Sequence, residues 1–344
     1  MALILPRMAY IYAVAAVFWL YAVPALSSPT HPPGGPDKTK HCAAIDKRQE
    51  WRDMSIKDRK AWSQAVLCLS TKPALSSWGG ATTRYEQFAA AHMQLFEQIH
   101  IVGQFLPWHR HMVTLFHDAL RQECGYTGPA PYWDWPRDAD APGPLANSPI
   151  FDPVHGLGGD GVPGTYTPPE GDGLHGPWTA KGCIDSGPFK DMVNRVGPGS
   201  FNDPHCVARG FNETFWRPFM TGAAVKEALM SPDFNAFIEV IDRDGNGIHG
   251  GGHGFVGGDM TDGSGPVDPL FYLHHAQLDR IWWQWQQANP AERLYAIGGP
   301  TQAFPVPNNI TTTLEDIMLF PGLGQTIPVG EVMDASAYPS CFTY

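Results

Sequence analysis

Apolar residues recur at three- and four-residue steps between Arg48 and Leu69, on Trp51, Met54, Trp62, Ala65, Val66 and Leu69. That spacing predicts an amphipathic helix. Ser55 with Asp58 resembles a capping box, so a second helix start is expected there. Another helical stretch runs from about Thr83 to His100. A third begins near Pro107, where proline suits a first turn, and reaches about Cys124. Helical patterns return at about 222–230 and 231–241, and a strong one spans about Pro269 to Ala288. Short β-like pieces are expected near Thr326–Val332. From Gly125 to Gly210 Pro and Gly interrupt every period, too long for a plain connection, which predicts a functional surface or a wrap over the core. The sum is a mainly α fold: a helical bundle with irregular excursions.

The N-terminus reads differently. Arg7 is followed by an apolar run from Met8 to about Leu26, with small residues Ala25, Ser27 and Ser28 at its exit. Residues 1–27 are expected to be a signal peptide, followed by a Pro-rich linker at 28–40 and one domain over 41–344. An uncleaved membrane anchor is the alternative, because the run approaches spanning length, but Pro24 and the small exit favour cleavage. The expected protein is secreted, with no stable membrane association after cleavage. Two sequons, at Asn212 and Asn309, agree with secretion and are expected glycosylation sites.

Six Cys fit an oxidising compartment and allow 15 pairings, among which the sequence cannot choose. Cys183 with Cys206, and Cys42 with Cys341, are candidates. The net charge of −11 disfavours nucleic acid as a partner, since phosphate binding needs a basic face. Nothing in the pattern sets an oligomeric state.

The 14 His change the picture because of where they cluster. One group holds His92, His100 and His109. The other holds His249, His253, His274 and His275. Three imidazoles per metal, repeated twice, suit a dimetal site between helices. His249 and His253 lie one helical turn apart on one face. The three glycines between them weaken a helix by roughly 1 kcal/mol each, so metal or packing is expected to hold this turn. Missing side chains should also leave space above the metal. His274 and His275 diverge by about 100° on a helix and cannot face one ion together. Asp279, at i+4 from His275, could orient that ring.

Blander explanations exist for each part. A lone helical His is usually a core or surface residue. HxxxH alone could be half of a zinc site, but the chain lacks HExxH and no Glu sits between the two His. Residues Asp242 to Gly247 imitate the start of a calcium loop, yet its twelfth position is His253 rather than Glu. A zinc hydrolase would leave the first cluster unexplained.

With both clusters in view, the chain resembles the tyrosinase family of type 3 copper proteins. The motifs are FLPWHR at 105–110, PYWDW at 131–135, HGGGH at 249–253 and DPLFYLHHAQLDRIWWQW at 268–285. Resemblance covers roughly 40–290 and is closest to fungal short polyphenol oxidases and catechol oxidases, including EWR at 50–52 and CL at 68–69. It implies a tyrosinase-like antiparallel four-helix bundle with long irregular loops and short β pieces, holding two copper ions, with copper A within 85–124 and copper B within 235–288. It makes His92, His100 and His109 the ligands of copper A, and His249, His253 and His275 those of copper B. His111 and His117 stay unassigned, expected at the surface or behind the ligands. Phe271 matches an aromatic packed beneath the copper-B imidazoles. Imidazole suits both copper oxidation states.

The implied activity is oxidation of o-diphenols to o-quinones with O₂ reduced to water; the partners are a phenolic small molecule and O₂. Monophenol hydroxylation, as in pigment or secondary-metabolite synthesis, and a haemocyanin-like oxygen carrier are alternatives. Departures from the family bear on this choice. Gln98 stands where some members have a thioether-forming Cys. Glu239 or Asp242 would have to replace a water-holding Glu. Gly250 replaces an Asn associated with hydroxylation, and Gly254 an Arg or aromatic. The Gly263-Ser264-Gly265 stretch is small where plant enzymes place Phe, so a site open to bulky phenols is expected. The longer fungal tyrosinases carry a C-terminal domain over the site, for which too few residues remain here.

Overall fold

The computed structural model describes residues 41–168, 180–199, 204–243, 247–261, 263–303 and 308–344. The expected signal peptide and linker lie outside the described residues, as do positions 244–246 of the calcium-loop imitation. Residues Thr39–Tyr344 form one compact unit. Among the described residues no helix is long and apolar enough to cross a membrane.

The fold is mainly α, as expected. The first expected helix divides: Trp51–Asp53 is a single 3₁₀ turn, and α1 (Ile56–Thr71) begins after it. Ser55 is its N-cap, accepting from the Asp58 N–H at 3.1 Å. Helix α2 (Arg84–Ile99) opens with a full capping box, Thr83 with Glu86. Helix α3 (Phe105–Cys124) stops at Gly125, whose φ of +67° suits a residue without Cβ. Two short helices follow, α4 (Gly222–Leu229) and α5 (Phe234–Ile241), then α6 (Ile248–Val256) and α7 (Leu270–Ala288). Helix α3 packs against α7 and α1, and α6 against α7. The shared core is aromatic: Trp62, Trp108, Trp133, Trp135, Trp282 and Trp285 are all fully buried.

Strands are two-residue pieces. Asp46–Lys47 pairs in parallel with Phe342–Thr343, and Gln49–Glu50 with Pro131–Tyr132. The long loop region carries two antiparallel pairs, and Ile317–Met318 pairs with Ile327–Pro328. Three disulfides close the fold. Cys42–Cys341 and Cys183–Cys206 match the candidate pairings, and Cys68–Cys124 ties α1 to the end of α3.

Helix α6 forms despite its glycines because neighbours fill the space that side chains would take. A Cβ on Gly251 would lie 2.9 Å from Phe219, and one on Gly252 only 2.3 Å from His274. One on Gly254 would lie 2.0 Å from the Trp216 indole. The glycines therefore admit close packing and do not leave the void expected from the sequence. Asn212 and Asn309 are both exposed.

Candidate metal centre

Two groups of imidazoles meet in the bundle. Helix α2 supplies His92 and, as its C-cap residue, His100; α3 supplies His109. Helix α6 supplies His249 and His253, and α7 supplies His274 and His275. Ligand-capable atoms lie within 4.8 Å of one another inside each group. His109 and His275 stack across the two groups, with ring centroids 4.3 Å apart. His100 and His249 stack at 5.7 Å.

Five of the rings are aimed through Nδ1. His92 Nδ1 lies 2.6 Å from the Gly263 carbonyl, His253 Nδ1 2.6 Å from that of Met260, and His100 Nδ1 2.9 Å from that of Phe96. His109 Nδ1 is 2.8 Å from the Phe105 carbonyl, and His249 Nδ1 is 2.8 Å from Asp242 Oδ1. A carbonyl or carboxylate oxygen only accepts, so Nδ1 carries the proton and Nε2 keeps a lone pair. The Nε2 atoms of His109 and His249 are buried without a hydrogen-bond partner. Those of His253 and His275 approach to 3.1 Å. Burial first, then neighbouring imidazoles, holds His100, His253 and His275 well below the ordinary histidine range. Burial does the same to His109. Neutral rings with converging lone pairs fit a pair of copper ions, which imidazole binds in both oxidation states.

His274 joins the second group but is used differently: its Nε2 lies 3.0 Å from the His249 carbonyl oxygen, which accepts from it. Phe271 sits between the groups, 4.1 Å from His275 and 5.1 Å from His92 by ring centroids.

Several expectations are corrected. Asp279 does not orient His275, whose Nδ1 is buried without a partner. Its carboxylate instead accepts from Arg48, Arg110 and Tyr344, which arrive from other elements. Asp242 is not a spare base, because both oxygens are engaged, Oδ1 with His249 and Oδ2 with the Ile101 N–H. Glu239 is exposed and paired with Arg243. Of the two places expected for His111 and His117, the surface is excluded, because both are buried: His111 packs edge-on to Phe320, and the Trp62 indole N–H donates to His117 Nε2. Gly250 and Gly254 are buried on α6, and the Trp216 indole packs directly beside Gly254. Gly263 is also buried; a Cβ there would touch Phe96 and Met93. All six Cys form disulfides, so none is available for a thioether to a ring, in line with Gln98.

The carbonyls of Phe96, Phe105, Met260 and Gly263 were not anticipated. Helical spacing could have found two, since Phe96 and Phe105 each stand four residues before the histidine they hold.

Comparison with known proteins agrees with this geometry. The family model for the common central domain of tyrosinase matches residues 82–288. Tyrosinase-like protein phomQ1 of Diaporthe leptostromiformis is 35% identical over 333 residues, covering 92% of this chain and 80% of its own. Tyrosinase P of Aspergillus terreus is 34% identical, covering 88% and 93%. A solved structure of polyphenol oxidase from Thermothelomyces thermophila superposes with a TM-score of 0.74 at 31% identity, covering 88% of each chain. The chain therefore belongs to the tyrosinase family: it is a type 3 copper oxidoreductase whose cofactor is a pair of copper ions and whose substrates are phenols and O₂.

Proposed function

We propose that this protein is a secreted oxidase that converts o-diphenols to o-quinones. His92, His100 and His109 hold one copper, and His249, His253 and His275 the other. The carrying observation is the common aim of the rings: five Nδ1 atoms are engaged by acceptors, which turns the Nε2 atoms inward. Held by these six rings, a copper pair would supply the redox chemistry that couples oxidation of a diphenol to reduction of O₂. Each diphenol leaves as a quinone after losing its electrons and protons, and O₂ leaves as water. The chain's own part is to fix the rings, to exclude water with Phe271 and Phe105 packed against them, and to keep His100, His109, His253 and His275 neutral by burial.

Diphenol oxidation is favoured over monophenol hydroxylation because Asp242 is fully engaged and Glu239 is superficial. Neither carboxylate is placed to take a phenolic proton. Among relatives, one from Emericella nidulans, 31% identical, is named N-acetyl-6-hydroxytryptophan oxidase. A phenolic secondary metabolite therefore fits as the natural substrate. Secretion is supported by the three disulfides and the two exposed sequons.

Reconstitution with copper tests this reading. The loaded protein should bind two coppers per chain and consume O₂ with a catechol, and more slowly with the matching monophenol. Two bound coppers without O₂ uptake would point to a carrier. Failure to bind copper would sink the assignment of the site.

A further inference from the structure

We infer that Asp242 is a positioning residue shared by both copper sites, not a residue of the second site alone. The inference rests on the ligand reading above. Asp242 is the C-cap residue of α5 and is 5% exposed. Its Oδ1 accepts from His249 Nδ1 at 2.8 Å, which orients a ring of the second cluster. Its Oδ2 accepts from the Ile101 N–H at 3.0 Å, 141 residues away in sequence. Ile101 directly follows His100, a ring of the first cluster.

Ile101 is the unusual member of this arrangement. Its φ is +57°, one of two positive values recorded outside glycine among the described residues. A β-branched side chain disfavours this left-handed conformation. The residue stands just past the C-cap of α2, where a helix commonly ends on a left-handed glycine whose N–H bonds back to the helix. Here that N–H is drawn to Asp242 instead. The carboxylate supplies the missing capping partner and holds the turn that presents His100. It has one oxygen for each task, and the two rings it governs stack at 5.7 Å, inclined by 17°. Asparagine would keep the shape but offers a single acceptor oxygen, so it can serve one task and not both.

The role differs from general support of the fold in a testable way. Asp242 reaches site A by two routes, a hydrogen bond to the Ile101 backbone and, through His249, the stacking of that ring on His100, and only the first responds to a change at Ile101. A His253→Ala background leaves a full set of three assigned ligands only in the first cluster, since His274 is engaged with the His249 carbonyl. Adding Asp242→Ala should lower the affinity of the remaining copper by about ten-fold or more, the range known for outer partners of metal ligands. Adding Ile101→Gly as well, which removes the conformational penalty, should restore most of that affinity. In the His109→Ala background, Asp242→Ala should weaken site B, and Ile101→Gly should restore nothing. Copper retention is read by native mass spectrometry against a graded chelator.

Hydrogen exchange on the metal-free protein gives a second, copper-independent readout. Asp242→Ala should speed exchange in the segment containing Ile101, and Asp242→Asn should do so less or shift the loss to His249. Unchanged exchange at Ile101, or unchanged site-A affinity in the first background, would overturn the inference. A wild-type chain that binds no copper, yet shows the exchange effect, would reject the ligand reading and keep the Asp242–Ile101 link.

Discussion

His274 Nε2 donates to the carbonyl oxygen of His249 at 3.0 Å, so one histidine of the adjacent pair braces the backbone of a ligand on another helix. Its neighbour His275 points its Nε2 at that of His253. The pair thus divides its work by the 100° turn between adjacent helical positions. His274→Gln, which retains a donor, should keep two coppers. His274→Ala should also keep two but lose about 1 kcal/mol of stability with the hydrogen bond. His275→Ala should fall to one copper. Metal analysis on the three variants checks this, and loss of a copper in His274→Ala would place that residue among the ligands.

Gly254 is tested by the indole beside it. A Cβ at this position would sit 2.0 Å from Trp216 Cε2. Gly254→Ala should cost about 1–3 kcal/mol by overpacking. In a Trp216→Ala background the same substitution should cost far less, because its obstacle has gone. Urea unfolding of the four proteins measures the coupling, and additive costs would refute the contact.

Asp279 is predicted to matter for stability in its own right. It receives Arg48 and Arg110, and the Arg110 guanidinium, fully buried, also lies 3.7 Å from the Trp282 ring centroid. Removing the carboxylate leaves buried cations without their counter-charge, at a cost of about 3–5 kcal/mol. Asp279→Ala should therefore lower the denaturation midpoint strongly. An unchanged midpoint would contradict the network.

The metal-free protein should weaken in mild acid. Burial holds His111 down at about 4, against an ordinary 6.5, and holds His117 well below the same value. The unfolded chain takes up these protons first as pH falls. The stability contributed by neutral burial is thus full above about pH 6.5 and is lost progressively as pH drops toward 4. His111→Phe should flatten this loss in denaturation midpoints measured between pH 6.5 and 4. An unaltered slope would show that His111 does not titrate as its burial requires.

Much of the site was legible because its local chemistry is strong. Thr83 with Glu86, Gly125 after Cys124, and apolar steps through α7 mark their helices independently of the rest of the chain. Helix α6 was legible only as the one turn that carries His249 and His253, since the groups that pack on its glycines, Phe219, Met220 and His274, arrive from elsewhere. The same limit explains Asp279. Periodicity names the neighbour on its own helix, His275, whereas its true partners lie at sequence separations of 231, 169 and 65. Trp216 was missed for this reason too, because nothing in its local sequence places it beside Gly254.

The way the rings are aimed bears on how this active site can change over generations. His92, His100, His109 and His253 take their direction from main-chain oxygens, which every residue type carries. A substitution at Gly263, Phe96, Phe105 or Met260 re-lines the wall but keeps an oxygen to accept from the ring, provided the backbone stays in place. The walls can therefore explore new phenols while the metal template is inherited intact. His249 is the exception, since its acceptor is a side chain, and a single codon change at Asp242 removes it.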